Sequence, residues 1–303
     1  MEVIGKKGIE ENAIIYLAKF RNSLEYMAEF VDSTEPGVHR EKKWCINIST
    51  QFGCPVNCRI CDAGGDYRGN LSKAELLAQI KYVLSTRNYM KTDKLKVHYA
   101  RMGEPLLNSE VLDALVELPD LCKPNAPMAC IATTAPLCAV KNLEKIAEIK
   151  EGYFRNGKFQ LQFSINSTDE KVRDWLMPIK KLSLQEIAAF GERYWDKTDR
   201  KINLNFALGK NIPVEPEVIE KLFNPEKFLV KLTPVNPTKR AEKNGIQSLL
   251  SYEGNPCLSI IENFKKSGFD VIVSIGAKEE IEIGSNCGQY VKNWIENATQ
   301  FTK

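Results

Sequence analysis

Three cysteines, Cys54, Cys58 and Cys61, stand in a C-x3-C-x2-C run inside STQFGCPVNCRICDAGG, residues 49–65. Thiolates grouped this closely in sequence are soft donors for metals or metal clusters. Structural zinc takes four ligands, and the two histidines of the chain, His39 and His98, lie away from the run. Three thiolates suit an iron–sulfur cube instead, in which cysteine holds three irons and the fourth stays open for a substrate or cofactor. Gly53, Pro55, Gly64 and Gly65 supply the turns that let such a loop wrap a bulky group.

The elements that must position this loop show in the hydrophobic pattern. Short β-branched or aromatic runs read as strands at 45–50, 94–100, 128–134, 158–166, 201–208, 227–235 and 269–275. Amphipathic helices fall between them at 71–86, 109–119, 140–150, 183–195 and 256–266. Strand then helix, repeated about six times, predicts an α/β fold, a partial (β/α)6 TIM-like barrel whose reactive residues follow the carboxyl ends of the strands. Ahead of it, AIIYLAKF and LEYMAEFV joined by RNS predict a short N-terminal β-hairpin. Residues 1–44 thus form a hairpin extension and residues 45–303 the barrel, with a C-terminal extension carrying Cys287.

Composition sets the context. A chain of 303 residues, 43% hydrophobic and 27% charged, has the means to bury a full core. No apolar run reaches the roughly 20 residues of a membrane span, and the charged amino terminus is unlike a signal peptide, so the expected location is the cytoplasm, with no membrane partner. In that reducing compartment nine cysteines, an odd number, read as metal ligands or catalytic thiols rather than a disulfide framework. A net charge of +3 is low for a dedicated nucleic-acid domain.

The cysteine segment resembles the S-S-Q-x-G-C-x3-C-x2-C segment of the RlmN/Cfr family of radical S-adenosylmethionine (SAM) methyltransferases. RMGEPLLN (101–108), SINSTDEKVRDWLMPIKK (164–181), LTPVNP (232–237) and SNCGQY (285–290) resemble further segments of that family in the same order. The resemblance implies a radical SAM barrel, a 4Fe-4S cluster on Cys54, Cys58 and Cys61, and SAM contacts from Gly103, Glu104, Ser164, Asn166 and Asn236. Ser164 and Asn166 end a strand with the parity that points them the same way. Asn166 stands where the family has histidine; Ala132 of IATT stands where it has a contact serine, with Thr133 and Thr134 beside it. Arg173 and Asp174 match but suggest no role.

The resemblance also implies a relay. One SAM methylates Cys287, a second yields a 5'-deoxyadenosyl radical that takes hydrogen from the S-methyl group, and the carbon radical adds to an electron-poor sp2 carbon such as that of an RNA adenine. An electron donor such as flavodoxin or ferredoxin is required. The family's resolving cysteine aligns with Asn47; Cys45, two residues earlier and about 6.6 Å along the same strand face, is either its replacement or a core thiol. Glu29 of AEFVDS is either the counterpart of the family's general base or an exposed hairpin carboxylate. Residues 1–44 are too few for the helical RNA-binding domain of that family, which weakens the expectation of an RNA substrate. Two other readings remain: a radical SAM enzyme that abstracts hydrogen from a peptide or metabolite without the relay, and a cluster-binding electron carrier or regulator.

Overall fold

The computed structural model describes residues 1–250, 257–276, 283, 284, 291 and 294. Its chain opens on three antiparallel strands, β1 (Glu2–Gly8), β2 (Ala13–Phe20) and β3 (Ser23–Ser33). Arg21 and Asn22, both at positive φ, close the β2–β3 hairpin in the tight turn whose twist matches that of the strands. There follow β4 (Trp44–Ile48), a small hairpin of β5 (Gln51–Cys54) and β6 (Gly65–Asn70), α1 (Lys73–Thr86), β7 (Leu95–Tyr99), α2 (Glu110–Leu121) and β8 (Met128–Thr133). Then come α3 (Val140–Tyr153), β9 (Phe159–Ser164), α4 (Glu170–Leu176), α5 (Leu184–Tyr194), β10 (Ile202–Leu208), α6 (Pro216–Leu222), β11 (Phe228–Pro234), α7 (Lys239–Lys243), α8 (Leu258–Lys266) and β12 (Val271–Val273).

These strands make one ten-stranded sheet in the order β1-β2-β3-β4-β7-β8-β9-β10-β11-β12, with β5 and β6 apart from it. The sheet is parallel from β4 to β12 and antiparallel from β1 to β4. The expected alternation of strand and helix is therefore present, and the expected hairpin is present with a third strand, β1, added. Because β3 pairs with β4, the hairpin continues the main sheet rather than standing ahead of it.

Strand alternation divides the sheet into two unlike faces. One face carries Trp44, Ile46, Ile48, Val97, Tyr99, Leu204, Phe206, Phe228 and Val230, all fully buried in the main core with the apolar sides of the helices. The other face, free of these helices, carries polar and half-buried side chains. A capping box between Ser72 and Glu75 starts α1, and Glu75 also pairs with Arg21 at the hairpin turn, so one carboxylate fixes both elements. Among the described residues no helix is long and apolar enough to cross a membrane.

The junction of the antiparallel and parallel parts depends on Asp32, which is fully buried. It accepts from Trp44 Nε1 at 2.7 Å, Arg40 Nε at 2.8 Å and Arg87 Nη2 at 2.8 Å, joining β3, β4 and the end of α1. Asp32→Ala leaves buried donors and cations unpaired, and chemical denaturation should show a loss of about 3–5 kcal/mol. A loss below about 1 kcal/mol would mean that packing alone holds the junction.

Candidate active site

The thiol loop leaves the sheet at the carboxyl end of β4 and is framed by the β5–β6 hairpin. Gly53 makes this possible: its φ is +73°, and a Cβ there would lie 2.6 Å from the Asp66 carbonyl oxygen. Cys54 is buried and Cys58 and Cys61 half-buried, among the apolar side chains of Val56, Ala63, Met102, Leu176 and Val235. Burial pushes the Cys54 thiol up to about 12, with a further contribution from Cys61. Burial raises Cys58 well above its ordinary value, and Cys61 and Cys54 add to the effect. Cys61 is raised by burial and partly relieved by Arg101 and Arg240. The three thiols thus feel one another's charge, and their ionised forms require added positive charge.

Among the described residues no three His, Cys, Asp or Glu side chains are grouped to hold a single metal ion. A cluster asks for something different: one thiolate to each of three irons, spread around a loop. Three converging thiols in an apolar shell fit that demand.

The loop is tied down by contacts distant in sequence. Asp62, buried, accepts from the backbone N–H groups of Lys239 at 3.1 Å and Arg240 at 3.0 Å, at the start of α7. Arg240 in turn donates to the carbonyls of Gly64 and Asn57, and the Thr238 hydroxyl donates to the Ile60 carbonyl. Arg59 lies over the Trp175 ring and donates to the Trp175 carbonyl, bringing in the end of α4. Arg173 is fully buried, ion-paired with Glu170 and donating to the Leu182 carbonyl, which gives that matched residue a structural task.

Beside the loop stands the turn after β7. Gly103, at φ +102°, packs against β5 so closely that a Cβ would meet Thr50 Oγ1 at 2.6 Å. Glu104 is buried, and burial raises its carboxyl above the ordinary value. Its Oε1 accepts from Thr133 Oγ1 at 2.5 Å and the Leu106 N–H at 3.2 Å; its Oε2 accepts from the N–H and hydroxyl of Thr134, both at 2.8 Å. All four acceptor directions are used. Sequence reasoning noted these threonines without assigning them; their position one strand over, at the end of β8, is the reason they reach Glu104.

The other expected residues are placed unequally. Ser164 ends β9, half-buried. Asn166 is buried at φ +63°, which turns the chain and breaks the alternation expected to align it with Ser164. Its Oδ1 accepts from the Ala207 N–H at 3.0 Å and its Nδ2 faces the Met177 sulfur at 3.4 Å, so the amide holds two loops together. Asn236 lies on the loop between β11 and α7. Cys45 and Asn47 share the polar face of β4, opposite Lys96 and His98 of β7, and burial raises the Cys45 thiol.

Glu29 is fully buried rather than an exposed hairpin carboxylate. It pairs with the buried Arg101 at 2.5 Å and accepts from the Val291 N–H at 2.9 Å, while Arg101 also donates to the Gly284 carbonyl at 2.6 Å. Cys287 itself lies outside the described residues, but both ends of its segment are anchored on this ion pair.

This mixed α/β fold with its largely parallel sheet is similar to that of solved radical SAM proteins. A radical SAM methyltransferase from Sphaerobacter thermophilus superposes with a TM-score of 0.73 over 95% of this chain and 80% of that one, at 20% identity. Streptococcus suis SuiB bound to S-adenosylmethionine superposes with a TM-score of 0.53 over 77% of this chain and 51% of that one, at 13% identity. In sequence the chain is similar to RlmN proteins. The probable dual-specificity RNA methyltransferase RlmN of Petrotoga mobilis is 26% identical over 94% of this chain and 79% of its own length. That of Pseudothermotoga lettingae is 29% identical over 80% and 67%. No protein-family model matches the chain. The resemblance read from the motifs is thus borne out over most of the sequence.

Glu104→Ala should weaken SAM binding by about 1–3 kcal/mol in calorimetry on reconstituted protein, and Thr133→Val should alter it through the same carboxylate. Because burial raises the folded carboxyl above its ordinary value, affinity should fall on acidification before an ordinary glutamate would protonate. Equal affinity in Glu104→Ala and wild type would place the SAM ammonium elsewhere.

Proposed function

We propose that this protein is a radical SAM methyltransferase that uses Cys287 as methyl carrier and acts on a nucleobase, such as an RNA adenine, or on another electron-poor sp2 carbon. The observation that carries this reading is the grouping of one buried and two half-buried thiols, whose charges act on one another, beside Glu104 at the carboxyl ends of the parallel strands. Cys54, Cys58 and Cys61 would hold a 4Fe-4S cluster. When bound, the cluster supplies the electron that cleaves SAM to a 5'-deoxyadenosyl radical.

The chain's own groups then do the positioning. Gly103 lets the turn approach β5, and Glu104, held by Thr133 and Thr134, receives the SAM ammonium. Ser164 and Asn236 supply further SAM contacts, and Asn166 fixes the loop that follows Ser164. The Glu29–Arg101 pair positions the segment of Cys287 through Gly284 and Val291; with its carboxylate engaged there, Glu29 acts as a base only when that pair opens. Cys45 is the thiol available to resolve an adduct, one strand repeat below Asn47. The sheet from β4 to β11 forms the six strands of a partial barrel, with residues 1–44 as its extension and residues 45–303 as the barrel and its carboxyl end. The protein works in the cytoplasm with a flavodoxin- or ferredoxin-like donor.

A second reading has one feature in its favour: Asn47, where the family has its resolving cysteine, cannot form a disulfide, so an enzyme that abstracts hydrogen without the relay would tolerate it. Peptide mass mapping of the protein as expressed separates the two. A methyl group on Cys287 is expected; its absence from protein that carries the cluster would favour the second reading.

A further inference from the structure

Apart from Cys45, the helix-free face of the sheet carries side chains that methyl transfer does not use. Strand register sets Cys45 opposite Lys96, Asn47 opposite His98, and Asn205 opposite Lys231. All of these keep part of their surface accessible. In a barrel packed as a core, branched apolar side chains would fill such inward positions. Here the lining is polar, which a cavity for a ligand requires and a packed interior does not.

The charge on this face is one-sided. Lys231 is lowered by burial and then by Lys96, and the other group acting on it is the Cys130 thiol. His98 is pushed down to about 3 by burial, Lys96, Lys231 and Lys43, so it faces them as neutral imidazole. Arg200, Lys94 and Lys43 extend the positive field toward the amino ends of the strands. Among the described residues Glu35 acts on Cys45 at this face, and it is already paired with Lys43. Lys231 Nζ meets Gln162 Oε1 at 3.5 Å, a weak partner for a buried ammonium. Asn47 Oδ1 and Asn205 Oδ1 are buried with no hydrogen-bond partner among the described residues, so the lining also calls for donors.

We infer that this face is an anionic subsite of the substrate pocket, taking the phosphate or carboxylate of a small substrate on Lys96 and Lys231 and its neighbouring hydroxyl or amino donors on Asn47 and Asn205. The assignment rests on the reading that the chemistry takes place at the loop above. Lys96 lies about 10 Å down β7 from Tyr99, and Glu104 follows the other end of that strand, so Lys96 serves a group other than the ammonium that Glu104 receives. Half-buried lysines inside the sheet fit the end of a small molecule better than a continuing polynucleotide.

The test is a thermal-shift titration of full-length, cluster-reconstituted protein with glycerol 3-phosphate, malate or a single-stranded RNA oligonucleotide, at ionic strength fixed with sodium chloride. Wild type should show a saturable rise in melting temperature with glycerol 3-phosphate or malate, and the stronger of the two identifies the oxyanion. Lys96→Met, Lys231→Met and Lys231→Gln should each weaken that response by about tenfold, while SAM affinity by calorimetry stays at the wild-type value. Equal titration in variants and wild type, or an equal effect of chloride, overturns the subsite. A parallel loss of SAM affinity also overturns it, by making the lysines part of the SAM site. RNA binding that the same substitutions abolish overturns the small-substrate assignment. Oxyanion binding needs no methyl on Cys287, so failure of the relay and failure of the subsite are read separately.

Discussion

A thiol surrounded by Val56, Ala63, Met102 and Leu176 does not ionise without help, and here three of them share one loop. That constraint organises the rest of the site. The thiolates become affordable only when multivalent cations arrive, so the loop must be held open and in place before they do. The backbone contacts of Asp62 at the start of α7, and the stacking of Arg59 on Trp175, provide that hold from elements more than a hundred residues away in sequence. Gly53 and Gly103 serve the same end by letting backbone approach where any Cβ would collide.

The ion pair of Glu29 and Arg101 links the two ends of the chain through the site. β3 supplies the carboxylate, the turn after β7 supplies the guanidinium, and together they hold Gly284 and Val291. Arg101 is itself buried, in the turn that leads to Gly103 and Glu104. The same residue lowers the cost of ionising Cys61. One buried cation therefore serves both the thiol loop and the hold on Gly284.

Much of the fold was legible in the sequence because its parallel strands bury one face completely. Runs such as INLNFAL and FLVKLTP alternate cleanly, and their observed limits fall within a residue or two of those expected. β1 was not legible: EVIGKKG is an exposed edge strand with little apolar content. β5 was hidden because its four residues overlap the turn-rich thiol segment, and α4 because it lies within a matched segment read for chemistry. The thiol loop was legible from type and spacing, and Glu104 only from the resemblance of its segment. Thr133 and Thr134 acquire their role only through strand adjacency, and the burial of Glu29 depends on a carboxyl-terminal segment that no local pattern on the hairpin reveals. The parity argument for Asn166 failed because a left-handed residue ends the alternation on which it relied.

The central claim is that the three thiols hold a four-iron cluster whose open iron is offered to SAM. Electron paramagnetic resonance of the reduced, reconstituted protein, recorded before and after SAM is added, addresses it most directly. The account predicts the signal of one reduced 4Fe-4S cluster per chain, and a change in its shape when SAM binds. A cluster spectrum that SAM leaves unaltered, or reconstituted protein that takes up zinc and no iron, would contradict it.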